Sequence, residues 1–150
     1  MKALHLQPLV GFGNIKLGMT RTEVLLMLGP CSTSFKNSPA SLYPTDAWLN
    51  NGLRVFYSGT VPRVEYIELS RGAGFEVELW GHPVFSTKAS LLIEFIELHS
   101  SLDREDPELG YSYTFPSIEL SLWRPIVDSP DGQFFSTIGI GVHGYYSGVN

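Results

Sequence analysis

The chain has little of what would mark a secreted or nucleic-acid-binding protein. Cys31 is its only cysteine, so no disulfide can form within the chain, which favours a reducing compartment. Charged residues make up 17% of the sequence, against about 25% in an ordinary domain. Ten Lys and Arg against fifteen Asp and Glu give a net charge of -5. Because phosphate backbones attract basic surfaces, we expect no nucleic-acid partner.

Long apolar runs are also missing. The first residues alternate apolar and polar types and are interrupted by His5, Gln7 and Pro8, which is too short and too polar for a signal peptide. No apolar stretch of 18 residues exists to span a membrane. The sequence therefore predicts a cytoplasmic protein with no membrane partner.

Catalytic motifs are absent as well. The segments Gly11-Phe12-Gly13 and Gly139-Ile140-Gly141 match neither phosphate-binding pattern, G-x-G-x-x-G or G-x-x-x-x-G-K. We expect the glycines of the second segment to let a large side chain, Trp123 or Tyr113, approach one face of a strand closely. No two of the four histidines have metal-ligand spacing, and no serine lies in a nucleophile elbow. We therefore predict a non-enzymatic protein with no cofactor and no metal, in which Cys31 has no functional part.

A short helix is the clearest element that is present. Thr20 and Glu23 form a T-x-x-E capping box, and Gly29 followed by Pro30 ends the helix. Apolar residues recur at helical spacing between these ends. A helix of two to three turns is only marginally stable by itself, so we expect its apolar side to pack against a sheet.

A β-meander follows this helix. Residues 31–44 are rich in Ser and Pro and are predicted to form a loop. Strands are predicted at 46–50, 53–58 and 63–70, with Asn51-Gly52 as a type I′ hairpin turn between the first two.

The second half repeats this order. A helix over 87–100, capped by Ser86 or Thr87, precedes a polar loop and strands at 111–115, 118–124 and 134–142. The prediction is an α+β fold: one domain, residues 1–150, with an antiparallel sheet and both helices packed on one face. A tandem duplication of units 15–70 and 84–142 is one interpretation; chance similarity of two meanders is the other. The residues expected in or beside the core are Trp48, Val55, Tyr66, Phe115, Leu122 and Ile138.

The segment L-G-M-T-x-x-E-V, ending at L-G-P and followed by a meander, carries a resemblance. It resembles the unit of small bacterial outer-membrane assembly lipoproteins, which is doubled in the β-lactamase inhibitor protein. The lipoprotein signal and the inhibitor's disulfides are absent here. The resemblance implies a folding unit used for binding other proteins. In size, acidity and lack of catalytic motifs, the chain is also similar to cytoplasmic immunity proteins of bacterial toxin systems.

One loop concentrates charge. Its carboxylates are those of Asp103, Glu105, Asp106 and Glu108, and a solvated loop is the simplest interpretation. The alternative is a negative patch for a basic partner, with Tyr111, Tyr113 and Trp123 as aromatic contacts. Of the adjacent Tyr145 and Tyr146, we expect one to be accessible.

These observations lead to a functional hypothesis with two rivals. We predict a protein-binding module, most concretely an immunity protein that neutralises a basic toxin by covering its surface. One rival is a small-molecule-binding domain or enzyme with a pocket between the sheet and the 31–44 loop. The other is a structural subunit of an assembly.

Overall fold

The computed structural model describes residues 3–36, 38–126 and 130–148 of the chain. It is an α+β fold, as predicted, and no helix in its described part is long and apolar enough to cross a membrane. The elements, in chain order, are β1 Ala3–Gln7, β2 Gly11–Phe12, β3 Ile15–Lys16, α1 Arg21–Leu28, β4 Thr33–Phe35, β5 Thr45–Trp48, β6 Leu53–Ser58, β7 Arg63–Ser70, β8 Glu76–Leu79, β9 His82–Pro83, α2 Ala89–Glu97, β10 Ser112–Phe115, β11 Leu120–Trp123 and β12 Thr137–Gly141. Short 3₁₀ turns cover Pro116–Ile118 and Pro130–Gln133.

The larger sheet has seven strands in the order β10-β11-β12-β7-β6-β5-β4, and every neighbouring pair is antiparallel. The registers place Val55 opposite Ile67, and Ile67 opposite Ile140. Because side chains alternate along a strand, these residues share one face, which we call the inner face. The other is the outer face.

A second sheet was not predicted. Its order is β3-β2-β1-β8-β9, and its central pair, β1 with β8, is parallel. The predicted antiparallel sheet is the larger one, and this smaller sheet with its parallel pair is an addition to it. Residues 71–86 carry both of the unpredicted strands. Phe75, Val77 and Leu79 alternate with Glu76 and Glu78, which is a short strand signal for β8, whereas the two residues of β9 show no pattern.

One core cluster joins the two sheets and both helices. It contains Val24 of α1, Leu92 and Ile96 of α2, and Leu79 of the small sheet. The large sheet contributes inner-face residues to it, which places both helices on that side. Trp48, Val55, Phe115, Leu122 and Ile138 lie in this core as predicted, whereas Tyr66 is buried on the outer face.

Helix α1 follows its sequence signals closely. Thr20 and Glu23 make both hydrogen bonds of the capping box, and the Gly29 N–H donates to the Leu25 carbonyl at φ +80°. On the inner face, the Trp48 indole donates to the Gly29 carbonyl at 3.2 Å. The helix is thus fixed to the sheet at its end as well as by Val24.

The first hairpin has a longer turn than predicted. Trp48 pairs with Leu53, so four residues form the loop, and Leu49, Asn50 and Asn51 all have positive φ. Gly52 lies where a Cβ would come within 2.7 Å of the Ala73 Cβ. The close approach of Ala73 therefore accounts for this glycine, and a two-residue type I′ turn does not.

Helix α2 is shorter than predicted. Its N-cap residue is Lys88, with no side-chain capping bond, so Ser86 and Thr87 do not cap it. The Thr87 N–H instead donates to the Pro83 carbonyl, which ties this segment to the turn after β9. The proposed duplication stays a prediction. Three strands, β12, β11 and β10, mirror β7, β6 and β5 about the β7 and β12 pair, but β4 has no counterpart, and β1 and β8 are parallel.

Candidate functional site

The acidic loop is shaped by two of its own carboxylates. Asp103 accepts a hydrogen bond from the Glu105 N–H at 3.0 Å, and Asp106 accepts one from the Glu108 N–H at 2.9 Å. Such Asx turns fix the backbone locally. Asp103 and Asp106 therefore hold the loop, and the exposed side chains of Glu105 and Glu108 present charge to solvent.

Further contacts tie this loop to its neighbours. Arg104 pairs with Glu97 of α2 at 2.6 Å. On the opposite side, Arg124 donates through Nε to the Gly110 carbonyl at 2.7 Å, and the Arg124 N–H bonds to the Tyr111 carbonyl. The loop is thus attached to both α2 and the end of β11.

The three predicted aromatic residues are not brought together. Tyr113 lies on the inner face, opposite Leu122, and its hydroxyl accepts a hydrogen bond from Arg124 Nη2 at 3.0 Å. Trp123 lies on the outer face and is 42% exposed, while Tyr111 is 48% exposed. Tyr113 therefore supports the arginine that holds the loop, and the accessible aromatic side chains are Tyr111 and Trp123.

A tyrosine cluster covers the middle of the outer face. Tyr66 stacks on Tyr145 with ring centroids 4.5 Å apart, and its hydroxyl contacts that of Tyr146 at 2.5 Å. A Cβ on Gly139 would collide with the Tyr66 ring, and one on Gly141 with Tyr145. These tyrosines, not the expected Trp123 or Tyr113, approach the glycines of β12. As expected for the adjacent pair, one member, Tyr145, is accessible.

Burial governs the titration of this cluster. It raises the pKa of Tyr145 to about 12, with a smaller contribution from the neighbouring Tyr146. It also raises the pKa of Tyr66 well above its ordinary value. All three hydroxyls thus remain neutral at physiological pH, and the cluster packs without a charge.

Glu119 holds the end of the described chain against this face. Its buried carboxylate accepts hydrogen bonds from the N–H groups of Gly144, Tyr146 and Ser147. Burial opposes ionisation, but these donors outweigh it, so the pKa of Glu119 lies below its ordinary value. The residue has φ +52°, a strained conformation that sequence patterns do not reveal.

A buried charge centre lies where α1 meets β5. Asp46, fully buried, accepts hydrogen bonds from Arg21 Nε at 2.8 Å and Nη2 at 3.0 Å, and from the Ser34 hydroxyl at 2.9 Å. Burial would raise the pKa of Asp46, but these donors lower it overall. The Tyr57 hydroxyl lies beside this carboxylate, yet it falls short of hydrogen-bond geometry and is unpartnered among the described residues.

Helix α2 has a second apolar side that the core does not cover. Leu91 and Leu98 are exposed, the latter by 79%, and Phe95 lies between them on the helix surface. Trp80 stacks on His99 at 4.3 Å and meets Phe95 edge-on. Trp80 occupies a hairpin turn at φ +48°, an unfavourable conformation for a bulky residue.

A polar cleft lies between the 41–45 segment and strands β6 and β7. Its volume is about 260 Å³, and its lining includes Tyr43, Phe56, Glu65 and Tyr145. The position corresponds to the pocket expected next to the 31–44 loop. Among the residues that line it, no nucleophile is hydrogen-bonded to an adjacent base.

Among the described residues, no group of three His, Cys, Asp or Glu side chains is placed to hold a metal ion. The chain matches no protein-family model, no curated protein and no solved structure in the comparisons made. The likeness to inhibitor and immunity proteins therefore stays an expectation drawn from the sequence.

Proposed function

We propose that the protein is a non-enzymatic, cytoplasmic binding module of the immunity type, which neutralises a basic toxin domain by covering its surface. The observation that supports this most is the preorganised acidic loop. Asp103 and Asp106 fix its backbone, which lowers the backbone ordering cost of presenting Glu105 and Glu108 to a partner.

Exposed aromatic side chains next to the loop supply contact area. Tyr111 follows the loop directly. Trp123 is the last residue of β11, and the residue after it, Arg124, donates a hydrogen bond to the Gly110 carbonyl of the loop. Rigid aromatic residues beside charged ones are typical of protein-binding hot spots. In this proposal, the carboxylates steer a basic partner and the two aromatic residues anchor it.

The test uses the protein encoded by the neighbouring gene, in a growth-rescue assay and in binding kinetics. Glu108→Lys should slow association several-fold at low salt, because rim charges act mainly on the association rate. The difference should vanish near 1 M salt, where the Debye length is about 3 Å. Trp123→Ala should instead raise the dissociation rate, by about thirtyfold if the residue contributes ~2 kcal/mol.

A matched control separates steering from total charge. Glu76→Lys makes the same charge change on β8 of the small sheet and should leave association nearly unchanged. If Glu76→Lys and Glu108→Lys slowed association equally, the loop would have no specific steering role and would be ordinary solvated surface. Absence of both growth rescue and binding would exclude the neighbouring protein as the partner and remove the immunity assignment.

The polar cleft supports a second candidate, a small-molecule-binding function. Leu42 lines it and is largely exposed, so Leu42→Trp should narrow the cleft without disturbing the core. A screen of polar metabolites by protein-observed NMR tests this. Shifts confined to the cleft in the wild type and lost in Leu42→Trp would favour it; no shifts at millimolar concentrations would reject it.

A further inference from the structure

A separate apolar cavity lies at the junction between β7 and the small sheet. Its volume is about 330 Å³, which is within the range of small-molecule sites. Val77 is buried at its wall, and Phe75 and Phe85 are half-buried there. The proposed protein-binding loop contributes no residue to this lining.

The loop that forms one side of the cavity packs against the first hairpin through Ala73. Ala73 is buried against Gly52, and Gly72 and Gly74 on either side of it both have φ +88°. At neither glycine would a Cβ meet another atom within 4 Å. Side chains would therefore find room at both positions, and the glycines are accounted for by the backbone path around Ala73.

Phe75 stands between this cavity and a second one. The second, of about 300 Å³, is also predominantly apolar and is lined by Phe12, Met27 and Leu49, and Phe75 belongs to both linings. The Phe75 and Phe12 rings are in tilted contact at 5.4 Å. Phe75 therefore forms part of the apolar wall of both cavities.

The one cationic side chain in the first lining is Arg71. Its Nη2 donates to the Phe135 carbonyl at 2.7 Å, which orients the guanidinium group. Among the described residues, Arg71 forms no ion pair. Glu76 also lines the cavity, but it leaves this cation uncompensated at short range. A fixed guanidinium group is suited to a carboxylate.

From the apolar walls and this cation, we propose that the cavity binds a small apolar molecule with one carboxylate, of the medium-chain fatty-acid class. The chain lies against Val77, Phe75 and Phe85, and the carboxylate meets Arg71. This site is independent of the protein-binding function proposed above.

The test is calorimetric titration with hexanoate, octanoate, decanoate and dodecanoate, and with dodecanol as the uncharged probe. Burial of each methylene should increase affinity about fourfold until the cavity is filled. Arg71→Gln should lower the affinity for the carboxylates by about two- to fivefold, because the cation is exposed. It should leave the affinity for dodecanol unchanged. The matched control is Arg104→Gln, which removes an arginine on the acidic loop. It should change neither the affinity for the carboxylates nor that for dodecanol.

A blocking variant completes the design. Ser86 is exposed and lines the cavity, so Ser86→Trp should close it and abolish binding without unfolding the protein. Ser90→Trp, on the exposed side of α2, should leave binding intact. The proposal is overturned if no fatty acid binds, if affinity is the same for all chain lengths, or if Ser86→Trp binds as the wild type does.

Discussion

Replacement of Arg21 by alanine should destabilise the fold more than the loss of an ordinary ion pair. The guanidinium group makes two hydrogen bonds to the fully buried carboxylate of Asp46. Without it, that charge retains the Ser34 hydroxyl at 2.9 Å and the distant Cys31 thiol at 3.8 Å. Removal of one partner of a buried pair costs about 3–5 kcal/mol. Because the Arg21 side chain is 31% exposed, water can take over part of its hydrogen bonding to Asp46 in the variant. We therefore expect the free energy of unfolding to fall by ~2–3 kcal/mol.

Urea denaturation at pH 7, followed by circular dichroism, measures this loss. Arg104→Ala is the matched control, because it breaks an ion pair of 2.6 Å whose arginine is 64% exposed. The control should cost less than about 1 kcal/mol. If the two variants lost the same stability, the argument from the buried carboxylate would fail.

The pH dependence gives an independent check. The pKa of Asp46 lies below its ordinary value of 3.8, so its contribution to stability is present above that pH and is lost as the pH falls. In Arg21→Ala, burial dominates and the carboxyl group takes up a proton more readily. The difference in stability between wild type and variant should therefore shrink as the pH falls through about 4. A difference that grew on acidification would contradict the reasoning.

Three further predictions concern the outer face. Gly139→Ala should displace the Tyr66 ring and cost about 1–3 kcal/mol in the free energy of unfolding, with a changed near-UV spectrum; an unchanged spectrum would refute it. Because the pKa of Tyr145 is raised from 10.0 to about 12, its contribution to stability should be constant from neutral pH to pH 10 and be lost between pH 10 and 12, and Tyr145→Phe should reduce that loss. Glu119→Gln removes the charge that the Gly144 and Tyr146 N–H groups share, so their hydrogen exchange should accelerate, whereas unchanged protection would show that the carboxylate does not hold this segment.

Elements defined by local signals were predictable from the sequence. The capping box of Thr20 and Glu23 places the start of α1, and the alternation from Arg63 to Ser70 gives β7 with its observed bounds. In both cases, the residues that decide the structure lie within a few positions of one another. The larger sheet follows from such strands, because short turns favour antiparallel neighbours.

Features that depend on distant residues were not predictable. Asp46 becomes a charge centre through Arg21, 25 residues earlier, and Tyr66 meets Tyr146 from 80 residues away. Asp103 and Asp106 look identical to Glu105 and Glu108 as charges, but the shorter side chain reaches the backbone two residues on. This two-residue spacing is a local signal, and it distinguishes the two supporting carboxylates from the two exposed ones. The second apolar side of α2 depends on Trp80, which lies in the turn after β8 and contacts Phe95 and His99 from there.

The parallel pairing of β1 with β8 has a consequence for how the chain assembles. Strand β1 comes before α1, and its partner comes after the whole first meander, while β7 of that meander pairs with β12 near the end of the chain. Each half of the chain therefore completes a sheet of the other, and neither half contains an intact sheet. A cut in the 71–75 loop should give two fragments that are unfolded when separate and that reconstitute the native fold when mixed.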